Sequence, residues 1–290
     1  MISIVIPLYN KEKSIRQTLD SILKQDHTDF EIVVVDDGST DNSPHIVREY
    51  MGKDKRIHLF KQKNGGPAKA RNTGVGYAKG DWILFLDADD ELLPGALSTF
   101  SENIKKRPVA DIFVMEVLLT DGRTLRQAQV YQDGFIRYPF LSHCFGLLFQ
   151  YSGSSLYRKS ICVAIPFNEQ YRRYEDLDRL FRLYDKCYLY TIHKRGAVIH
   201  SDYASASHAR RDIFEDFVGH ISLRDKGLWE KLALYSLFLG EREYYSSQCH
   251  QLYHNLYFRY DLLLSYKILS WMRSNKLCKK WLHHYIYTLC

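Results

Sequence analysis

The first half of the chain alternates short apolar runs with segments of helical period. Ile2 to Pro7 is almost wholly apolar, as expected of a strand buried on both faces. Ile15, Leu19, Ile22 and Leu23 then recur at helical spacing. Glu31 to Asp36, centred on Val33-Val34-Val35, predicts a second buried strand, Asn42 to Tyr50 a helix, and Ile57 to Phe60 a third strand. Pro67 opens a helix at its first turn, where the missing N–H costs nothing. Trp82 to Leu86 predicts a fourth strand, Pro94 the start of another helix, and Asp111 to Leu119 a fifth strand before the turn signal Asp121-Gly122. Such alternation predicts an α/β fold: a mostly parallel twisted sheet with helices on both faces, binding ligands beyond the carboxyl ends of its strands. From Phe135 to Ser207 the pattern is less regular. Ser154 to Arg158 and Tyr188 to His200 read as strands and Glu175 to Tyr184 as a helix. After His208 the chain reads as wholly helical, aromatic and basic, which divides it into a domain at 1–208 and a helical region at 209–290.

With 290 residues, 46% of them apolar and 26% charged, the chain can bury a sizeable core and is not globally disordered. The net charge of +6 is unevenly placed. From Gln251 onward Arg259, Lys267, Arg273, Lys276, Lys279 and Lys280 face Asp261 alone. The cysteines are scattered without a C-x-x-C pair, against a zinc knuckle or disulfide scaffold and in favour of a reduced, cytoplasmic setting. The sequence starts directly on a strand, with no charged leader, and no run approaches the roughly 20 apolar residues needed to span a bilayer.

Polar clusters follow the strands. Asp87-Ala88-Asp89-Asp90 comes directly after Ile83-Leu84-Phe85-Leu86. Several carboxylates at a strand tip repel unless a cation shares the site, and a divalent ion that also takes phosphate oxygens suits them. An acidic helix cap would need only one of these residues. Asp36-Asp37-Gly38-Ser39-Thr40-Asp41 follows the second strand and reads equally as turn chemistry or as a second acidic tip. Asn64-Gly65-Gly66 leads into a helix carrying Lys69 and Arg71, near a terminus where anions are favoured; the alternative is a solvated basic face. Gly74, Gly76 and Gly80 lack the spacing of a dinucleotide fingerprint.

Taken in order, Pro7-Leu8-Tyr9-Asn10, the Asp36 to Asp41 stretch, Gly66 to Gly74 with Arg71-Asn72, and Leu86 to Asp90 resemble a family-two glycosyltransferase with the GT-A fold. The resemblance covers Met1 to about Thr99 and continues weakly to about Ser207. It implies a nucleotide-sugar donor, most often a UDP sugar, with Mn²⁺ or Mg²⁺ as cofactor. By that resemblance Pro7 and Tyr9 border the base and Asp37 accepts from its N–H. Asn64 lies near the nucleotide, Arg71 near the base or phosphates, and Asp87 on the ribose side; Asn10, Lys69 and Ala88 complete the donor-binding set. Asp89 is the metal ligand.

Glu175-Asp176 matches the family's later acidic pair, with Asp176 as general base for single-displacement, inverting transfer. On its own the pair also suits a helix N-terminus. His200, before Ser205 and Ser207, stands as a second candidate metal ligand. Gln170-Tyr171-Arg172-Arg173-Tyr174 precedes the acidic pair and lacks the order of the processive signature, so transfer of one sugar is expected. The aromatic and basic C-terminus reads either as a peripheral contact with the cytoplasmic face of a membrane or as helices packed on the core. A glycan or lipid-linked acceptor is the expected partner, and no reading module for nucleic acid is present. Two rivals remain. A sugar-nucleotide nucleotidyltransferase would carry glycines where Leu8-Tyr9-Asn10-Lys11 stands, and a non-catalytic nucleotide-sugar-binding scaffold would have no use for the acidic pairs.

Overall fold

The structure, a computed structural model of the chain, describes residues 1–120, 125–128, 132–144, 148, 150–200, 215–241, 267–268, 270 and 287–288. The Asp121-Gly122 turn, Ser201 to Ser207 and most of the aromatic-basic stretch from Gln251 lie outside them.

The apolar runs become the centre of one sheet. β1 (Ile2–Leu8) pairs in parallel with β2 (Phe30–Asp36) on one side and β4 (Trp82–Phe85) on the other, and β2 pairs in parallel with β3 (Ile57–Lys61). Alternation along these strands sends Val5, Val33, Val35, Ile83 and Phe85 to one face, against α3 (Pro67–Tyr77). Ile4, Ile6, Ile32, Val34 and Leu84 go to the other, against α1 (Ile15–Leu23) and α2 (Ser43–Met51). This is why the runs are almost wholly apolar: both faces are covered, and the polar Ser3 and Glu31 within them bond each other, Ser3 Oγ donating to Glu31 Oε1 at 2.7 Å. α3 approaches β1 closely at Gly74, where a Cβ would lie 2.3 Å from Val5 Cγ1.

β4 is followed by β5 (Glu91–Leu92), then α4 (Ala96–Lys106) and β6 (Ile112–Thr120). The helix expected from Pro94 starts two residues later because the chain is still tied to the sheet there: the Leu93 N–H donates to Gly196 O at 2.8 Å. Beyond β6 come β7 (Leu125–Ala128), β8 (Gly134–Ile136), α5 (Pro139–Cys144), β9 (Ser155–Arg158), α6 (Lys159–Ala164), α7 (Glu175–Leu183) and β10 (Leu189–His200). β9 inserts antiparallel between β4 and β6, and β10 runs parallel to β6. The sheet order is β11-β8-β10-β6-β9-β4-β1-β2-β3, where β11 is Tyr287–Thr288, with β5 attached to β10 and β7 to β6. The predicted α/β architecture, a large mostly parallel sheet clothed in helices, is the one observed.

The region after His208 is not wholly helical. Phe217–His220 is a 3-10 turn and Leu228–Glu241 is α8, as the helical pattern predicts, but β11 pairs antiparallel with β8. Its two residues are strand formers meeting an open sheet edge. Phe217, Val218 and Leu232 to Tyr235 share a core cluster with Phe140 and Phe181. Among the described residues, no helix is long and apolar enough to cross a membrane. Cys144, Cys162 and Cys187 are free thiols.

Candidate functional site

The loops that leave the carboxyl ends of β1, β2, β3 and β4 are sewn together. Asn10, in a left-handed conformation at φ 52°, accepts from the Thr40 N–H at 2.8 Å, and its own N–H donates to Ser39 Oγ at 3.2 Å. The Lys11 N–H donates to Ser43 Oγ at 2.8 Å, and Ser14 Oγ donates to Ala88 O at 2.9 Å. The Lys11 ammonium pairs with Asp89. Asp37 is buried and organises the next loop: it accepts from Gln62 Nε2 at 2.7 Å and from the N–H groups of Gly65 and Gly66 at 2.8 Å each. The acidic stretches after β2 and β4 are therefore joined through the β1 loop. Tyr9, Asn64 and Lys69 are exposed on this rim, Pro7 is half-buried at the end of β1, and Ala88 is buried beneath the tip.

Arg71 links this rim to the later acidic pair. Its Nη2 donates to Asp87 at 2.8 Å and its Nη1 to Glu175 at 2.7 Å. Burial opposes its charge, but Asp87 and Glu175 outweigh that and raise its pKa. Glu175 is buried at the start of α7, where burial pushes its pKa up to about 7 despite Arg71. Asp176 remains accessible to solvent, yet the walls around it strip away enough water to raise its pKa, with Arg71 opposing and Asp87 adding to the rise. It opens into a cavity of about 140 Å³ lined also by Arg71, Asp87, Asp90, Tyr151 and Ser152. A larger cavity of about 510 Å³, between α1 and β5, meets the acidic loop only at Glu91.

The carboxylates after β4 crowd one another. Burial first, and then Asp87, raises the pKa of Asp89, against Lys11; burial, Asp87 and Asp89 raise that of Asp90 well above the ordinary range. A divalent cation would relieve that surplus of negative charge. Among the described residues no group of three or more His, Cys, Asp or Glu side chains could hold an ion unaided. An ion held by Asp89 would have to take the rest of its shell from waters and substrate phosphates, as Mg²⁺ commonly does. His200 reaches the same place, but its Nε2 lies 2.8 Å from Glu91 Oε1, and its main-chain N–H donates to Asp90 at 3.0 Å.

Three residues that sequence reasoning passed over belong here. Lys11 is one. Ser152, which accepts from the Asp87 N–H at 2.6 Å, is the second. The third is Arg179, fully buried among Phe85, Tyr157 and Phe167 with its Cζ 4.6–5.5 Å from their ring centroids. Its spacing of four from both Glu175 and Leu183 was the available signal, since it marks one stripe of α7.

The model of the family described as glycosyl transferase family 2 matches residues 3–165. The chain is 30% identical over 218 residues to the poly(ribitol-phosphate) beta-N-acetylglucosaminyltransferase TarS of Staphylococcus aureus (strain Mu50), covering 70% of this chain and 37% of that protein. It is 38% identical over 115 residues to glycosyltransferase GlyG of Streptococcus pneumoniae, covering 39% and 38%. A GalNAc(5)-diNAcBac-PP-undecaprenol beta-1,3-glucosyltransferase of Campylobacter jejuni is 31% identical over 174 residues, covering 59% and 55%. The chain thus spans well under two thirds of the length of GlyG and TarS. Among solved structures, S. aureus TarS 1–349 in complex with UDP-GlcNAc superposes with a TM-score of 0.69 at 24% identity, over 87% of this chain and 74% of that one, a likeness of fold.

Proposed function

The chain belongs to glycosyl transferase family 2, and from that membership we propose that it transfers one sugar from a nucleoside-diphosphate sugar, a UDP sugar, to an acceptor hydroxyl with inversion. The observation that carries this reading is Arg71. One buried guanidinium ties Asp87, on the donor side, to Glu175, and so sets Asp176 on the same cavity as Asp87.

In this reading the diphosphate lies at the β4 tip, near Asp89 and Lys11, and the nucleoside lies along Tyr9, Asp37 and Asn64. Asp89 would hold Mn²⁺ or Mg²⁺, which when bound neutralises the charge that develops on the leaving diphosphate. Asp176 takes the proton of the acceptor hydroxyl as its oxygen attacks the anomeric carbon. The bond from that carbon to the diphosphate oxygen breaks as the new one forms, releasing the nucleoside diphosphate. The raised pKa of Asp176 makes it a stronger base than an ordinary carboxylate, and Glu175 and Arg71 hold the start of α7 in place. Asp37 is already held by three donors, which leaves a lone pair on Oδ2 for a base N–H.

The TarS and Campylobacter relatives, whose names specify a poly(ribitol-phosphate) and a polyprenyl diphosphate glycan, support an acceptor in surface polysaccharide or lipid-linked glycan synthesis. Exposed Lys267 and Ile268 are compatible with a peripheral membrane contact there. The test is a panel of UDP and GDP sugars with and without Mn²⁺, scored for released nucleoside diphosphate. No hydrolysis or transfer from any of them would sink the proposal.

A further inference from the structure

We propose that Arg172 is a further donor-binding residue, whose guanidinium hydrogen-bonds oxygens of the nucleoside diphosphate from the α7 side of the cleft; this rests on the donor site proposed above. Arg172 and Arg173 stand in tandem just before the acidic pair, and their fates differ. Arg173 is taken up by the fold: its Nη1 lies 3.7 Å from the buried Asp216 carboxylate, its Nη2 donates to Tyr174 Oη at 3.1 Å, and its Cζ lies 4.9 Å from the Tyr174 ring centroid. The Arg172 side chain has no hydrogen-bond, ion-pair or ring partner among the described residues. Its backbone is nonetheless fixed, since the Arg172 N–H donates to Glu215 O at 2.7 Å.

That fixed backbone sends the guanidinium across the cleft onto Gly66. A Cβ built on Gly66 would lie 2.4 Å from Arg172 Nη1 and 3.5 Å from its Cδ and Cζ, so the glycine, at φ +90°, makes the room the arginine occupies. Gly66 is the residue whose N–H holds Asp37 Oδ2. Lys69 folds back over the neighbouring Gly65, where a Cβ would lie 2.4 Å from its Cδ. A half-buried guanidinium with five donors and no protein acceptor leaves hydrogen bonds for a ligand to satisfy. The nucleoside diphosphate brings acceptors of the right kind, in its phosphate oxygens and its base carbonyls, and the arginine fork suits either. Because Arg172 sits four residues before Asp176 on the loop that enters α7, donor contact there also steadies the segment that carries the base.

Calorimetric titration of the purified chain with UDP and with uridine tests this. Relative to wild type, R172A and R172Q should bind UDP about tenfold or more weakly, R172K should recover part of the loss, and thermal midpoints should stay unchanged because the side chain has no protein partner. Loss for UDP with uridine unaffected places the contact on the phosphates; loss for both places it on the base. Each of those results supports the proposal. If wild type binds UDP and R172A and R172Q bind it equally well, the proposal is overturned while the donor site stands. If wild type binds no nucleoside diphosphate, the donor reading fails and takes this inference with it.

Discussion

Replacing Arg71 by methionine tests the physical centre of the site. Arg71 is buried, and so is its partner Glu175, whereas Asp87 is about a third exposed and can keep much of its hydration. Losing one partner of a buried pair costs about 3–5 kcal/mol because it strands the other charge. The cost should depend on pH. In the wild type Glu175 has its pKa raised to about 7, so the folded protein keeps a proton that the unfolded chain has already released. Wild-type stability contributed by this group is therefore highest at low pH and is lost as pH rises from the ordinary carboxylate value through 7. Without Arg71 the folded pKa climbs further, and each additional unit costs about 1.4 kcal/mol once the pH exceeds it. R71M should thus be destabilised by about 3–5 kcal/mol at pH 8 and by clearly less at pH 5.5, where Glu175 is neutral in both proteins. R71M/E175Q should regain about 2 kcal/mol or more at pH 8, since no charge is left stranded. Urea denaturation followed by circular dichroism measures all three. A penalty equal at the two pH values, or a double mutant no more stable than R71M, would refute the assignment of Glu175 as the stranded charge.

D176N should lower turnover by about 10²–10⁴-fold while leaving donor binding intact, read by single-turnover assay beside calorimetry; unchanged turnover removes Asp176 as base. K11A should bind Mn²⁺ measurably tighter in the absence of nucleotide, because Lys11 no longer competes for Asp89; equal affinities by electron paramagnetic resonance would contradict that. G74A should cost about 1–3 kcal/mol, since its methyl group must displace Val5, and a melting point equal to wild type would show that α3 can move away.

The parallel half of the sheet was legible because strands buried on both faces leave unmistakable apolar runs, as in β1 and β2. β9 was legible as a strand but not as an antiparallel insertion, because four residues carry no record of which neighbours they pair with. β11 was missed for the same reason, being two residues inside a stretch of helical and aromatic character. The ordered motifs singled out Asp87, Asp89, Glu175 and Asp176, yet their wiring was hidden. Arg71 and Glu175 are 104 residues apart, and nothing local says that one will pair with the other. Arg179 was passed over for a different reason. A charged residue on an acidic helix reads as solvated, and only the packing of Phe85, Tyr157 and Phe167 turns it inward.

The place where the site forms follows from the order of the strands. β1, β2 and β3 proceed in one direction across the sheet with α1 and α2 on one face, α3 returns the chain over the other face, and β4 lies on the opposite flank of β1. Strand order thus reverses at β1, where sheets of this kind bind ligands in a crevice beyond the strand ends. Lys11 leaves β1 and Asp89 leaves β4, and their ion pair spans that crevice. Parallel strands alone would line the crevice from the β1 to β4 loops only. β9, running antiparallel beside β4, brings Ser152 onto the Asp87 N–H from the loop that precedes it, and the chain then continues through α6 to α7. β9 carries the chain away from the strand tips, and the stretch through α6 to the start of α7 brings it back and delivers Glu175 to Arg71. The β4 tip and the start of α7 are thus joined by one buried guanidinium, that of Arg71, and a substitution on either side should be felt on the other.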